Sequence, residues 1–242
     1  MDCQAVFFDV GATLLYPCPS VAETFTAVAN ERGHALTLED VAPHMAAVDA
    51  LYERKYKANG DFWCTHDGSI NIWLEQYSYL CELTGIADDA ESMSHAVRDR
   101  FCHADHWGVF DDVVECLGGL KAMGLQLAVI SNWDDGLPAL LAELGLSRYF
   151  DEVLASAAVG LRKPDPAVFE VACERLGVSI ERCVHVGDRP DADGGGAAAA
   201  GVRPIIIDRG GTLVDCGYER VSALTEIPAL VGSLPSWRIC KV

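Results

Sequence analysis

Several acidic residues follow short apolar segments, a position from which a carboxylate can reach a binding site. Asp9 comes directly after the apolar run at 4–8 and is followed by Gly11, a pattern typical of a buried strand that ends in a turn. Asp188 follows a second apolar segment, and Asp193 lies in the loop after it. An ionised carboxylate at such a position can bind a metal ion, or can attack phosphorus or an activated carbon atom to form a covalent intermediate.

The three carboxylates would repel one another if they met in one site. Like charges are unfavourable there unless a cation or protons neutralise them. Lys163, in a segment that reads Lys-Pro-Asp-Pro, can supply one fixed positive charge. Carboxylate ligands also suit Mg²⁺, which keeps several waters and binds substrate phosphate at the same time. We therefore predict a magnesium site beside a nucleophilic Asp9.

Alternating strand and helix patterns would position these residues. After residue 105 the sequence predicts helices at 111–123, 136–145, 166–177 and 193–200. Strands are predicted between and after them, at 125–131, 152–155, 183–187 and 204–208. Such alternation indicates a parallel sheet with right-handed crossovers, in which ligands bind beyond the carboxyl ends of the strands. Ser131 and Asn132 stand where one of these strands ends, so we expect them to lie near Asp9.

Residues 20–105 follow a different pattern. Apolar residues recur there with helical spacing and strand signals are few, so the segment is predicted to be an all-helical insert. Packing explains the large apolar residues expected in its interior, which are Phe25, Leu51, Tyr52, Trp73, Leu74, Tyr77, Leu80 and Phe101.

Composition limits the classes of function. The chain has 242 residues, of which 50% are hydrophobic, and a formal net charge of -18. It can bury a large core, and its acidity disfavours binding to nucleic acid or to an anionic membrane. Without a membrane-length apolar stretch or a basic signal-peptide start, it is predicted to be cytoplasmic. Its ten cysteines, Cys240 included, are scattered singly, so we expect reduced and mostly buried thiols.

Four ordered motifs resemble those of the haloacid dehalogenase-like (HAD) hydrolases. They are Phe8-Asp9-Val10-Gly11-Ala12-Thr13-Leu14, Ile130-Ser131-Asn132-Trp133-Asp134, Lys163-Pro164-Asp165-Pro166, and Val186-Gly187-Asp188 with Asp193. The resemblance covers essentially the whole chain and implies an α/β fold with two parts. These are a Rossmann-like parallel sheet core at 1–19 and 106–242, and an inserted all-helical cap domain at 20–105. The chain is most similar to the subgroup with a small helical cap, which contains phosphatases and haloacid dehalogenases.

The resemblance implies a catalytic role for five residues. Asp9 would be the nucleophile, and Thr13 would support the loop that carries it. Ser131 and Asn132 would hold the phosphoryl oxygens of the substrate. Lys163 would orient Asp9 and offset negative charge.

The resemblance also implies Mg²⁺ as cofactor. Asp9 and the backbone carbonyl of Gly11 would be two of its ligands. Asp188 and Asp193 would bind it directly or through water, and Asp191 in the same loop is an alternative to Asp193 as the outer ligand.

Gly11 departs from the pattern of the family phosphatases, which usually carry a second Asp at this position as general acid and base. Loss of such a group typically removes ~10²–10⁴ in rate. The loss is severe for an alkoxide leaving group and mild for an acyl or aryl phosphate, whose leaving group departs without a proton. His66 or Asp67 of the cap is an alternative source of the acid. We predict a magnesium-dependent phosphatase acting on a small phosphorylated metabolite with a good leaving group.

Other activities remain as alternatives. Haloacid dehalogenases of the family lack the second Asp, but they do without the metal and tend to lose the Gly-Asp pair that Gly187 and Asp188 form here. A phosphonatase-type hydrolase would need a cap lysine, for which Lys55 and Lys57 are the candidates. The third alternative is a low-activity protein that binds a phosphorylated metabolite. We expect a small-molecule organic phosphate as partner, neither nucleic acid nor membrane, and a monomer or homodimer.

Overall fold

The computed structural model describes residues 3–233, so that Cys240 lies outside the described part. The described residues form two compact units. Residues 3–16 and 109–233 make up the first, which we name the sheet unit, and residues 17–108 make up the second, the helical unit. The sequence predicts boundaries between core and cap at 19/20 and 105/106.

The described part of the chain contains eight strands. They are β1 (Ala5–Phe8), β2 (Leu15–Pro17), β3 (Trp107–Val109), β4 (Gln126–Ser131), β5 (Glu152–Ala155), β6 (Cys183–Gly187), β7 (Arg203–Ile207) and β8 (Glu219–Val221). Six of them form one parallel sheet in the order β5-β4-β1-β6-β7-β8. β2 and β3 form a separate two-stranded sheet. The chain adds strands on one side of β1 first, as β4 and β5, and then on the other side, as β6, β7 and β8. In Rossmann-like sheets, ligands bind where the strand order changes direction in this way.

Helices flank the strands and fill the helical unit. They are α1 (Val21–Glu31), α2 (Leu38–Val41), α3 (Met45–Ala58), α4 (His66–Leu83), α5 (Ala90–Arg100), α6 (Val113–Ala122), α7 (Leu137–Glu143), α8 (Ser156–Val159), α9 (Ala167–Leu176), α10 (Gly196–Ala200) and α11 (Ile227–Ser233). The predicted α/β fold, a Rossmann-like parallel sheet with helical segments, is confirmed.

Strand β1 lies at the centre of the sheet with all four residues fully buried. A continuous apolar strand is typical of a parallel sheet whose two faces are both covered. In the register of this sheet, Phe8 lies opposite Val129 of β4 and Val186 of β6. The residues that follow these three strands therefore leave the sheet at the same edge.

One predicted helix differs in form. Residues 193–200 were expected to be helical, but the segment begins as a π-helical turn at Pro190–Gly195, and only α10 is α-helical. The amide N–H groups of Asp193 and Gly194 both donate to the Arg189 carbonyl, at 2.8 and 3.2 Å. The wider turn follows from this bonding, which the apolar pattern of the sequence does not encode.

The helical unit has an aromatic and aliphatic interior. Phe25, Tyr77 and Leu80 are buried there, as predicted. Leu51, Tyr52, Trp73, Leu74 and Phe101 are only half-buried. Trp73 is typical in this respect, because tryptophan is so large that it is rarely fully buried.

Thiols are distributed more widely than expected. Nine cysteines lie in the described part of the chain, and Cys81, Cys116, Cys173 and Cys183 are buried. Cys18 and Cys102 are exposed, so the prediction of mostly buried thiols is only partly correct. Among the residues from 3 to 233, no helix is long and apolar enough to cross a membrane.

Candidate active site

Asp9 directly follows β1, and its carboxylate is held on one oxygen. Lys163 Nζ donates to Asp9 Oδ1 at 2.6 Å, and Ser131 Oγ donates to the same oxygen at 2.9 Å. All three residues are buried. Within the described residues, no hydrogen bond reaches Asp9 Oδ2. The geometry fixes the direction of the carboxylate and leaves one oxygen for another partner.

Asp193 is the most heavily bonded carboxylate of the site. Its Oδ1 accepts from Lys163 Nζ at 2.6 Å and lies 2.9 Å from His185 Nε2, and its Oδ2 accepts from the Arg189 amide at 2.9 Å. Burial alone would raise the pKa of Asp193, but the Lys163 charge and the His185 hydrogen bond hold it well below its usual value. Asp193 is therefore ionised at neutral pH.

Lys163 bridges two of the carboxylates. Burial alone would lower its pKa, but the negative charges of Asp193 and Asp9 raise it above its ordinary value. Lys163 therefore carries a positive charge between the two carboxylates.

Asp188 is the carboxylate that lacks such support. Burial raises its pKa to about 8, and the charges of Asp9 and Asp193 act in the same direction. One ligand oxygen from each of Asp9, Asp188 and Asp193 fits within a 4.8 Å cluster. A divalent cation would supply the positive charge that Asp188 lacks, so the donor set fits the hard oxygen-ligand chemistry of Mg²⁺.

Asn132 holds the loop that carries Lys163. The Asn132 side chain accepts from the Lys163 amide at 2.8 Å and donates to the Lys163 carbonyl at 3.0 Å. The next residue, Trp133, is fixed through its backbone, because its N–H and its carbonyl both bind the Ser156 hydroxyl. The turn after β4 is thus tied to the start of α8 and to the segment that carries Lys163.

Gly187 allows the close approach of Asp193. A Cβ atom at position 187 would lie 2.1 Å from the Asp193 carboxyl carbon, closer than real contacts permit. Any other residue at position 187 would displace Asp193 or the strand end. The requirement for glycine in the last motif is therefore steric.

The loop that follows Asp9 has an unusual conformation. Ala12 has a φ of 55°, in the left-handed region that costs a residue with a Cβ atom roughly 1–2 kcal/mol. The Thr13 carbonyl accepts from Arg209 Nη2 at 2.8 Å, and Arg209 also binds both oxygens of Asp112 at 2.9 Å. The Arg209 guanidinium lies 3.7 Å from the centre of the Phe110 ring. These contacts hold a loop whose backbone is not relaxed.

The structure thus brings together Asp9, Ser131, Lys163, Asp188 and Asp193. Gly11 and Thr13 lie in the loop after Asp9, but the buried Thr13 hydroxyl has no hydrogen-bond partner in the described part of the chain. Asp191 lies outside the carboxylate cluster, because its side chain is 56% exposed and pairs with Arg189.

Sequence reasoning missed His185, Ser156 and Arg209. A histidine inside the otherwise apolar strand β6 is a signal that points to His185. Arg209 lies two residues after the end of β7, in the loop that leaves the sheet at the same edge as the predicted site residues. Ser156 carries no comparable signal, because serine at a helix start is common.

Comparisons with known proteins agree with the four motifs. The sequence profile described as haloacid dehalogenase-like hydrolase matches residues 3–201. Haloacid dehalogenase-like hydrolase domain-containing protein 3 of Danio rerio is 30% identical over 93% of this chain and 94% of its own length. A glyceraldehyde 3-phosphate phosphatase of Methanopyrus kandleri is 29% identical over 86% of this chain and 84% of its own length.

A solved structure supports the same relationship. The 2-haloacid dehalogenase of Pseudomonas syringae pv. Tomato DC3000 has a TM-score of 0.64 and 25% identity, covering 95% of this chain and 98% of the dehalogenase. The chain therefore belongs to the haloacid dehalogenase-like hydrolases and is a hydrolase.

Proposed function

We propose that the protein is a magnesium-dependent phosphatase that forms a covalent aspartyl-phosphate at Asp9. The observation that carries the proposal is the asymmetric holding of Asp9. Its Oδ1 accepts from Lys163 and Ser131, while Oδ2 accepts no hydrogen bond from the described residues. An ionised carboxylate with one oxygen fixed and one unbonded is oriented for nucleophilic attack.

The residues that would hold Mg²⁺ are Asp9, Asp188 and the Gly11 carbonyl, with Asp193 acting through water. Asp193 has this outer role in the proposal because Lys163, His185 and the Arg189 amide already use its oxygens. When bound, Mg²⁺ would neutralise charge on the carboxylates and on the substrate phosphoryl group.

The proposed reaction has two displacements at phosphorus. Asp9 Oδ2 attacks, a bond forms between this oxygen and phosphorus, and the bond from phosphorus to the leaving-group oxygen breaks. Water then attacks phosphorus, the bond between phosphorus and Asp9 Oδ2 breaks, and a proton of the water passes to the inorganic phosphate that leaves. This step restores the Asp9 carboxylate. Positioning and charge neutralisation account for most of the catalysis in such transfers.

Neighbouring residues would position the substrate. The second N–H of the Asn132 amide would bind a phosphoryl oxygen, and the Ser131 hydroxyl would turn from Asp9 Oδ1 to donate to another. Lys163 would keep the Asp9 carboxylate in its orientation. Thr13 would support the nucleophile loop through its carbonyl, which binds Arg209. These roles extend the motif resemblance with the contacts of this chain.

The leaving group is expected to depart without a proton. Gly11 offers no acidic side chain, and the atom nearest to a Cβ at that position is Trp133 Cζ3, at 3.7 Å. Acyl and aryl phosphates are therefore the favoured substrate class. The relative named as a glyceraldehyde 3-phosphate phosphatase supports phosphatase chemistry on a small metabolite, but the substrate in its name is an alkyl phosphate and does not support the acyl or aryl class.

A second candidate function is haloacid dehalogenation. The similarity to a 2-haloacid dehalogenase and the absence of an acid at Gly11 favour it. The cluster of Asp9, Asp188 and Asp193 favours the phosphatase, because that cluster needs a cation and dehalogenases of the family do without one.

Phosphate release from acetyl phosphate tests the proposal. We expect turnover with Mg²⁺, loss of turnover with EDTA, and at least a roughly 1000-fold loss in Asp9→Asn. Mass spectrometry of the quenched wild-type enzyme should show a phosphoryl group on Asp9. Halide release from 2-haloacids without phosphate release would support the dehalogenase instead. Binding of phosphorylated metabolites without any turnover would support the low-activity alternative.

A further inference from the structure

His185 is a fully buried imidazole in the middle of β6. Its ring packs edge-on against Phe169 of α9, with 5.0 Å between the ring centroids. Its Nε2 atom lies 2.9 Å from Asp193 Oδ1. An ionised carboxylate can only accept hydrogen bonds, so Nε2 carries the hydrogen. His185 therefore donates to a site carboxylate from within the apolar layer below it.

The other ring nitrogen of His185 shows that stability alone does not explain a histidine at this buried position. Nδ1 is buried and has no hydrogen-bond partner among the described residues. Burying an unpaired polar atom lowers stability, and an apolar side chain of similar size would pack against Phe169 without that loss. The distinct contribution of His185 is thus its single hydrogen bond to Asp193.

That hydrogen bond reaches Asp9 through one further residue. Asp193 Oδ1 is shared by His185 Nε2 and Lys163 Nζ, and the same Lys163 Nζ donates to Asp9 Oδ1 at 2.6 Å. The Arg189 amide fixes only the other oxygen of Asp193. Without the His185 donor, the Asp193 carboxylate can turn about its Cβ–Cγ bond and carry Lys163 away from Asp9.

We propose that His185 is a positioning residue, which holds the Asp193 carboxylate in the orientation that keeps Lys163 against Asp9. The proposal deepens the proposed function and rests on it for its kinetic consequence. Its structural consequence, the position of Lys163, is independent of which reaction the enzyme catalyses.

Two substitutions separate the hydrogen bond from the packing. His185→Leu replaces the imidazole with an apolar side chain of similar volume and so removes the Nε2–H donor. His185→Gln keeps an N–H group that can reach Asp193. Phe169→Leu is the matched control, because it disturbs the packing of the ring and leaves the hydrogen bond to Asp193 in place.

Kinetics with acetyl phosphate and saturating Mg²⁺ give the first measurement. We expect kcat to fall about 10- to 100-fold in His185→Leu with KM changed less than about 3-fold, as is typical when a residue behind a site ligand is lost. We expect His185→Gln to regain most of kcat. Phe169→Leu should lower the melting temperature more than His185→Leu does, and should lower kcat less.

Crystal structures of the two His185 variants give a second measurement that needs no turnover. In His185→Leu we expect a rotated Asp193 carboxylate and no contact between Lys163 Nζ and Asp9 Oδ1, whereas His185→Gln should retain the contact. An unchanged Lys163 position in His185→Leu would overturn the proposal, and so would a kcat that His185→Gln fails to restore. If wild-type protein releases no phosphate, the proposed function fails, and the crystal structures still decide the role of His185.

Discussion

The two units bury polar side chains of different kinds. In the sheet unit, the buried polar residues include the ionisable Asp9, Lys163 and Asp193, and Lys163 donates to both carboxylates across large separations in sequence. In the helical unit, the buried polar residues of the described chain are neutral: Thr24, Ser69, Gln76 and Ser94.

The partners of these residues differ as well. Ser69 donates to the His66 carbonyl and Ser94 to the Glu91 carbonyl, each within its own helical turn. Such local bonds satisfy a buried hydroxyl without specifying a site. Buried charges, in contrast, persist only where partners or a ligand compensate for lost hydration. The contrast supports the proposal that the sheet unit carries the chemistry.

Removing one lysine from each unit tests this contrast with the largest expected effect. Lys163→Met leaves Asp9 and Asp193 buried without their shared cation, so we expect the free energy of unfolding to fall by about 3–5 kcal/mol. Lys55→Met breaks an ion pair with Glu75, in which the two side chains are 40% and 49% exposed. This substitution should change the free energy of unfolding by less than about 1 kcal/mol. Urea unfolding measures both. Equal losses in the two variants would remove the distinction between the units.

Replacing Gly11 with aspartate tests whether the sheet unit lacks a general acid for the leaving group. Gly11 has no left-handed φ, and a Cβ there makes only an ordinary contact with Trp133, so Gly11→Asp fits the backbone. We expect kcat/KM for an alkyl phosphate to rise about 100-fold, with that for acetyl phosphate changed less than about 3-fold.

The wild-type enzyme provides the comparison for this variant. If it already hydrolyses alkyl phosphates as fast as acyl phosphates, and Gly11→Asp adds nothing, the acid comes from elsewhere. His66 and Asp67 at the start of α4 would then be the first residues to replace with alanine.

The pH dependence of stability offers a smaller effect. Because burial and neighbouring charges raise the pKa of Asp188 to about 8, the folded metal-free protein holds a proton there that the unfolded chain releases near pH 4. Folding stability from this group is complete below about pH 4 and is lost as the pH rises to about 8. The melting temperature of metal-free protein should therefore decline between about pH 5 and 8, relative to Asp188→Asn.

Magnesium should counteract the decline of the melting temperature with rising pH. Binding requires the ionised carboxylate, so Mg²⁺ should raise the melting temperature more at pH 8 than at pH 6. Asp188→Asn should lose most of this stabilisation. Thermal unfolding with Mg²⁺ or EDTA measures it, and an identical response of Asp188→Asn and wild type would mean that Asp188 takes no part in binding.

The sequence predicts which strand ends meet, but not which side chains bond there. Asp9, Ser131 and Asp188 could be placed together because parallel strands in register end at one edge. That Asn132 holds the Lys163 backbone, or that Asp193 turns inward while Asp191 turns outward, depends on loop dihedral angles that no periodicity records. A histidine in an apolar strand draws attention to His185, but the strand pattern shows only its burial and not its hydrogen bond to Asp193.

The strand order also determines when the site can exist during synthesis. Ala5 of β1 lies opposite Gln126 and Cys183, so the first strand made waits for neighbours that are made much later. Until then its four apolar residues have no sheet partner, and such exposed edges favour aggregation. The carboxylate cluster cannot assemble before Asp193 has left the ribosome. A polypeptide truncated before that residue therefore contains Asp9, the proposed nucleophile, but lacks the third carboxylate of the cluster.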